Sequence, residues 1–554
     1  MPRCFAAARP YYSGSVPAET IDGTGELAAP RPRRRVALNT AIFAIATALS
    51  RIAGLGREVV QAAFFNTSRV ASAFALASQI PNLFSNLFSQ AALSAAFVPI
   101  FTELLQEGRK REAFRIAATL FWIILIALGA LTLLWTAVAG LVVPLFTGAS
   151  IPAALTAGLS RVLFPVVLLL SLTGLLVGIL QAYDEFTIPA LAPAVWNLVI
   201  LVLLIVLHSR FHGQNKIYAY AVAWLVATIV QFLMIVYAMR RVEFRLSLSF
   251  DWRDPRIRRV LLLFLPVTMS IGIVNLDIFI NAGFGSLVVT HPPGQAPAAI
   301  NDAFRIYMLP QGIFSVAVAT VLFPTLSRMA VRRDTGGIRR AVGNGTRQIN
   351  LLLIPSAALM AVLATPITRL VYQHGTFHTT STRLVAEALF WFSFSLPFAG
   401  VNLLLTRTFF AVQRPWIPTK LAAMNMVVDV IVSIALYKPL GIAGLVIGTA
   451  SANLVMTVLQ LFRLRIGLGG RLEGGQTLMI TARIAVATVF MAALARGVWV
   501  GLDHLLGTSL IAEIFCVGLA CAAAIALYVR LVLWMRIPEA RQIQFLIQQR
   551  LGRV

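Results

Sequence analysis

Charge is scarce in this 554-residue chain: Asp, Glu, Lys and Arg make up 12% of it, against about 25% in ordinary soluble domains. Acids are scarcest, 21 Asp and Glu against 46 Lys and Arg. Only three cysteines occur, Cys4, Cys516 and Cys521, at spacings that match neither a disulfide framework nor a metal knuckle. The last two lie in an apolar segment and read as inert packing residues. The six histidines, His208, His212, His291, His374, His378 and His504, fall at segment ends or in loops and join no carboxylate cluster. His374 and His378 are four apart, yet nothing nearby completes a metal shell. Strand-like alternation over about ten residues is missing, which argues against a membrane β-barrel. No nucleophile with a base, glycine-rich phosphate loop or paired-carboxylate site is present, so the chain reads as a non-enzyme. Asp184 and Glu185 read as solvated loop charges.

Apolar residues are what the chain has in abundance: 59% hydrophobic, 35 Phe and a mean hydropathy of +0.84. Runs of 18 or more such residues are long enough to cross a hydrocarbon core of roughly 30 Å as helices. The expected fold is therefore an all-α polytopic membrane protein. Fourteen helices are expected near 36–64, 69–103, 112–143, 155–182, 186–208, 216–239, 257–290, 296–328, 337–373, 380–410, 417–437, 441–463, 478–502 and 508–535.

The loops alternate in charge. EGRKREAFR (107–115), RRVEFRLSLSFDWRDPRIRR (240–259), RMAVRRDTGGIRR (328–340) and RLRIGLGGRLEGG (463–475) are basic, whereas FTGASIPAA (146–154), VTHPPGQAP (289–297) and YQHGTFHTT (372–380) hold no Asp, Glu, Lys or Arg. This bias accounts for the net charge of +25 without nucleic acid as a partner, and it places both termini in the cytoplasm. Residues 1–35 are polar, rich in Pro, Gly and Ala, end in RPRRR and lack the apolar core of a signal peptide, so they read as a disordered cytoplasmic tail.

An internal repeat follows. AAFVPIFTELLQEGRKREAFRIA (95–117) resembles TVLFPTLSRMAVRRDTGGIRRA (320–341), and QAYDEFTIPALAP (181–193) resembles FAVQRPWIPTKLA (410–422). Two parallel-repeat six-helix lobes are expected, 36–241 and 257–466, joined by a cytoplasmic linker 242–256. Residues 467–536 hold helices 13 and 14, and 537–554 form a cytoplasmic tail. Six helices per repeat give both lobes one orientation, the architecture of an alternating-access carrier around a central cavity.

A few ionisable residues remain inside the apolar segments: Arg51, Arg57 and Glu58 in helix 1, Arg161 in helix 4, Asp277 in helix 7, Arg305 in helix 8, Asp429 in helix 11 and Glu513 in helix 14. Charge at bilayer depth costs several kcal/mol, so such groups face a wet cavity or a partner unless they snorkel from a helix end. Arg161 and Glu513 read as snorkelling. Arg51 and Arg57 are about 9 Å apart along the helix and roughly 120° around it, so both can line one broad face. Gly54 and Gly56 between them permit close approach. Arg305 takes a corresponding place in the second lobe, before Pro310, which should kink helix 8 as Pro81 kinks helix 2. Three guanidiniums from two lobes suggest a cavity for a phosphorylated anion. Asp277, with Asn275 and Asn281 nearby, and Asn425 and Asp429 one turn apart offer oxygens that suit a hard monovalent cation, with Thr449 adding a hydroxyl. The alternative is that each Asp only hydrogen-bonds between helices.

These residues also carry a family resemblance. SRIAGLGRE (50–58), IPNLFSNLF (80–88), AFVPIFTE (96–103) and AFRIYMLPQGIFSVAVATVLFP (303–324) resemble signatures of the MurJ (MviN) family of lipid II flippases, within the multidrug/oligosaccharidyl-lipid/polysaccharide exporter superfamily. The resemblance implies a bacterial cytoplasmic (inner) membrane protein of peptidoglycan synthesis, acting in cell wall biogenesis and cell shape. Its substrate would be lipid II, an undecaprenyl-diphosphate glycolipid, and its partners membrane lipids and cell-wall synthesis and division proteins. It also implies that Arg51, Arg57 and Arg305 engage the diphosphate, with the helix-2 positions Ser72, Gln79, Asn82 and Ser85 as further substrate contacts. Asp277, Asn425, Asp429 and Thr449 match a sodium site, no other cofactor is implied, and helices 13 and 14 match a groove for the lipid tail. The chain departs from the family pattern at Ser72 and Gln90, where acids are usual, and at Ser85, where an arginine is usual. Two alternatives stay open: an exporter of another polyprenyl-linked oligosaccharide or a drug, and a divergent membrane scaffold that transports nothing.

Overall fold

The computed structural model describes residues 33–87, 90–183, 185, 187–242, 246–247, 251, 253–470, 473–507, 509–541 and 544. Most of the expected N-terminal tail, most of the C-terminal tail and Asp184 lie outside them, as does the side chain of Gln90. The described residues form α-helices with a few 3₁₀ turns and no strand.

The first half comprises α1 (Arg33–Phe65), α2 (Arg69–Leu87), α3 (Gln90–Gln106), α4 (Lys110–Val142), α5 (Ala153–Leu163), α6 (Pro165–Ala182), α7 (Thr187–His208) and α8 (Ile217–Ala238). The second half comprises α9 (Pro255–Leu287), α10 (Ala296–Pro310), α11 (Val316–Val331), α12 (Thr335–Val362), α13 (Ala364–Tyr372), α14 (Thr379–Ala411), α15 (Trp416–Leu440) and α16 (Ile442–Gly467). Two more follow, α17 (Gly474–Leu506) and α18 (Leu510–Trp534). Among the described residues ten segments are long and apolar enough to cross a membrane, and an eleventh is the bent pair α12 and α13.

Local chemistry sets several boundaries. Asp254 caps α9 by accepting from the Arg256 amide at 2.8 Å, with Pro255 at the first helical position. Asp334 caps α12 through the Gly337 amide at 2.7 Å, and Ser509 caps α18. Three of the expected helices are interrupted. The fourth breaks at Phe164 just before Pro165, and the ninth bends by 78° between α12 and α13. In the eighth, Pro310 removes an N–H, and a π-turn over Gln311–Ser315 follows it. Pro81 breaks nothing: α2 runs through it to Leu87.

Packing separates the halves. Clusters around Phe97, Phe101 and Leu180, and around Phe74, Tyr220 and Leu159, join helices of the first half, while one around Phe392, Leu404 and Val446 joins those of the second. α9 packs on α2 and α3 as well as on α15 and α16, so it belongs to both contact surfaces. A separate cluster around Met491, Trp499 and Cys516 seats α17 and α18 on α12 and α13.

Two arginines clamp that pair to the second half. Arg347 of α12 is buried, donates to Glu539 through Nε and lies 3.1 Å from Glu473. Arg369 of α13 lies 3.2 Å from Asp503 and 3.1 Å from Glu513. The second contact corrects the snorkelling expectation for Glu513, which is 2% exposed and ion-paired inside the protein. Removing one partner of a buried pair leaves an uncompensated charge, at a cost of about 3–5 kcal/mol. Arg347→Ala is therefore expected to lower the apparent melting midpoint of the detergent-purified protein by several degrees, whereas the exposed Arg332→Ala leaves it in place; equal midpoints would sink the clamp.

Candidate functional site

Arg57 and Glu58, adjacent on α1, are each 6% exposed and hydrogen-bonded to one another. The Arg57 guanidinium sits 5.1 Å from the ring centre of Trp196 on α7 and 5.4 Å from that of Trp224 on α8. Facing the negative surface of an indole offsets part of the lost hydration of a cation, by about 2 kcal/mol when desolvated. From the second half, Arg305 on α10 brings Nε to 3.5 Å from the same Glu58 oxygen. No hydrogen bond occupies the Arg305 guanidinium among the described residues, so its N–H fork is available. Arg51 is exposed on α1, and its guanidinium lies over Gly312 in the π-turn, where an added Cβ would stand 3.0 Å from Nη1. All three arginines line one cavity of about 490 Å³ between the halves.

Gln79 and Asn82 line that cavity too, together with Asn86, Asn197, Asn275 and Asn301. The Asn197 amide packs onto α1 at Gly54, whose missing side chain leaves 3.5 Å of clearance, while Gly56 faces open space. Ser85 turns away, its hydroxyl 3.3 Å from the Asn82 carbonyl oxygen, and does not line the cavity. Ser72 does not line it either. It is fully buried one turn into α2, and its hydroxyl accepts from the Ala298 amide of α10 at 3.2 Å. These are corrections to the expectation of substrate contact: a serine is too short to reach the cavity from either place.

Ser72 instead belongs to a closure between the halves on the face of the three uncharged loops. There the Ala63 carbonyl accepts from the Thr376 amide at 2.9 Å, Thr67 and Ser381 hydroxyls meet at 2.6 Å, Arg69 donates to the Pro293 carbonyl, and the Gly148 amide donates to Ser286 at 2.8 Å. Gly148 is needed for this approach, since an added Cβ would stand 2.1 Å from the Ser286 carbonyl oxygen. Every bond in the set is to a neutral acceptor.

The oxygens expected for a cation converge beside the cavity. Asp429 of α15 is fully buried and accepts from Asn281 at 2.9 Å, Thr449 at 3.1 Å and Ser433 at 3.1 Å. Asp277 of α9 lies against it. One oxygen each of Asp277, Asn281 and Asn425 is buried without a partner. The two carboxylates, the orphaned oxygens of Asp277 and Asn281 and the Thr449 hydroxyl, with no cationic side chain bonded to them among the described residues, form a donor set that fits a small hard cation, and Asn425 lies one helical turn before Asp429. Asn281 and Ser433 join the expected four residues. A smaller chamber lined by Asp277, Asn281 and Thr449 shares Gln79, Asn301 and Phe304 with the arginine cavity.

Trp196, Trp224 and Asn301 were not anticipated as site residues. Tryptophan in an apolar segment signals nothing by itself; only its helix rotation toward Arg57 gives it a role.

Comparison with known proteins comes from three directions. A family model described as "Lipid II flippase MurJ" matches residues 61–510. A probable lipid II flippase MurJ of Rhizobium tropici is 30% identical over 500 residues, covering 87% of this chain and 91% of the relative. The lipid II flippase MurJ of Burkholderia cenocepacia is 29% identical over 430 residues, covering 76% and 82%. Among solved structures, a lipid II flippase MurJ in an inward closed conformation superposes with a TM-score of 0.72 at 22% identity, covering 88% of this chain and 99% of that one. An inward-facing multidrug resistance MATE family transporter of the MOP superfamily superposes with a TM-score of 0.62 at 16% identity, covering 76% and 94%. Both likenesses show a shared fold.

The hydroxyl contact between Thr67 and Ser381 makes the closure directly measurable. In a background with Cys4, Cys516 and Cys521 replaced by alanine, the pair Thr67→Cys and Ser381→Cys is expected to cross-link under mild oxidation. Failure to cross-link in every membrane condition would mean that the halves do not meet there.

Proposed function

The chain belongs to the lipid II flippase MurJ family, and from that premise we propose how its own residues move the cargo. The protein is an integral, multi-pass membrane transporter. It carries lipid II, the undecaprenyl-diphosphate-linked precursor of peptidoglycan, from the inner to the outer leaflet by alternating access. The basic loops face the cytoplasm, as the positive-inside rule requires, and both termini lie there with them.

One observation carries the mechanism: Arg57 and Arg305, from opposite halves, share the single carboxylate of Glu58 at the cavity wall. Three guanidiniums against one carboxylate leave two positive charges, and a diphosphate diester carries one negative charge on each phosphate. The diphosphate binds between Arg57 and Arg305, with Arg51 at the rim, through charge-assisted forked bonds. Glu58 keeps the two arginines aimed at one point while the cavity is empty. Because the two cations sit on different halves, an anion between them draws the halves together around it, and its release lets them part.

The neutral closure on the opposite face then opens. Apart from the Arg69 guanidinium on the Pro293 carbonyl its bonds join neutral groups, and breaking such bonds costs about 1 kcal/mol each and separates no ion pair, which suits a contact made and broken in every cycle. The undecaprenyl tail stays in lipid. The apolar side chains that α17 exposes, Leu478, Val486, Val489 and Phe490 among them, support that helix as its guide.

Sodium is the ion that the Asp277, Asn425, Asp429 and Thr449 set would hold, with Asn281. Bound there, it would offset the charge of the two carboxylates. Enzymes that make the precursor on the inner leaflet and polymerise it on the outer are the partners this role requires.

Rescue of a bacterium depleted of its own lipid II flippase tests the reading. Wild type is expected to restore growth, and Arg57→Ala and Arg305→Ala to fail at equal membrane abundance. Failure of correctly inserted wild type would leave another oligosaccharide lipid, or a scaffold, as the better reading. For the ion, sodium in place of choline at equal ionic strength is expected to raise the melting midpoint of wild type but not of Asp429→Asn. A rise that persists in the variant would remove the ion from this site.

A further inference from the structure

The arginines account for the phosphates, but they are the minority of the polar groups in the cavity. Six carboxamides line it: Gln79, Asn82, Asn86, Asn197, Asn275 and Asn301. Glu58 is the one carboxylate among the lining residues, and both arginines already claim it. A cavity built for phosphate alone has no use for this belt.

Its placement is regular. Gln79, Asn82 and Asn86 stand at i, i+3 and i+7 on one face of α2. Asn86 donates to Asn275 of α9 at 2.6 Å, so the belt crosses from one half to the other. Asn301 lies four residues before Arg305 on α10, hence one turn, about 5.4 Å, from the diphosphate position. The side chains of Gln79, Asn82 and Asn301 make no hydrogen bond to another described residue. One further polar atom of the lining is buried and unpartnered, the Asn197 carbonyl oxygen, on a residue 8% exposed. Buried polar groups are ordinarily satisfied, and an orphaned acceptor beside carboxamides with both donors and acceptors to offer calls for a ligand that both donates and accepts.

We propose that this carboxamide belt is a saccharide subsite, which reads the hydroxyl and acetamido groups of the sugar attached to the diphosphate. It rests on the diphosphate reading of the arginines and adds to it the recognition of the neutral part of the head group. A carboxamide suits the task because it presents a donor and an acceptor in one plane without charge, matching a hydroxyl pair or an acetamido group. A ligand lacking those groups leaves the belt unpaired, and buried unpaired groups are what make such a site selective.

The test uses the full-length protein in lipid nanodiscs and two probes: undecaprenyl diphosphate, and the same lipid carrying a disaccharide without peptide. Wild type is expected to bind the glycolipid at least about tenfold more tightly, as one or two well-made hydrogen-bonded contacts provide. In the double variant Gln79→Leu/Asn301→Leu that preference is expected to vanish, with undecaprenyl diphosphate bound as in wild type, while Arg305→Ala weakens both ligands. If wild type binds the two probes equally, or the double variant keeps the preference, the saccharide subsite is wrong and the diphosphate reading stands. Binding of neither probe by wild type overturns both. Should the double variant melt below wild type, Asn82→Leu replaces it, and equal loss of both ligands by a normally melting variant counts against the proposal.

Discussion

A guanidinium cannot be left in hydrocarbon, and the placing of Arg57 organises everything around it. Three devices keep it charged where it is: the carboxylate of Glu58, the indole faces of Trp196 and Trp224, and an aqueous cavity reached through the remaining wall. The two indoles come from two other helices, so the cation ties α1 to α7 and α8. Glu58 then reaches α10 through Arg305. A buried ion pair is a poor source of stability, because desolvation offsets most of the attraction. Here its value is positional: two cations on two halves are held toward one point, with donors left over for a third party.

Two contacts between the halves have opposite chemistry. At the cavity they meet through charge, which an anionic ligand can join. At the uncharged loops they meet through hydroxyls, amides and carbonyls packed closely enough that Gly148 admits no side chain. Such a pairing lets ligand charge act on one contact without directly perturbing the other. The clamps at Arg347 and Arg369 add a third kind of contact, salt bridges within the second half, at least one of them buried, which hold α17 and α18 to it while the halves shift.

The helices and the three arginines were legible in the sequence because both rest on large terms: apolar length against bilayer thickness, and charge against hydrocarbon. Asp277 and Asp429 stood out for the same reason, and the structure sets the two against each other. What stayed hidden depends on helix rotation and on partners distant in the chain. Glu513 looked like a residue near a helix end until Arg369, 144 positions earlier, came beside it. The family resemblance grouped Ser72 with Gln79 and Asn82, yet seven residues along a helix put it two turns nearer the closure. Pro81 and Pro165 look alike in sequence, but only the second coincides with a break.

The departures from the family pattern are best weighed by where they fall. The usual acid at position 72 would lie in the closure, against the first turn of α10, and would contribute no charge to the cavity wall. Its loss therefore says little about cargo. The usual arginine at 85 would sit one turn from Asn82, and its loss lowers the cavity charge by one. What remains still matches a diphosphate, and the wall that lost a cation is the one that carries Gln79, Asn82 and Asn86. A chain released from transport has no reason to keep Arg57 between two indoles with Arg305 facing the same carboxylate, since each guanidinium at that depth is costly unless it binds something. The retained cations and the neutral belt beside them argue for an altered grip on a glycosylated diphosphate lipid rather than for a lost activity.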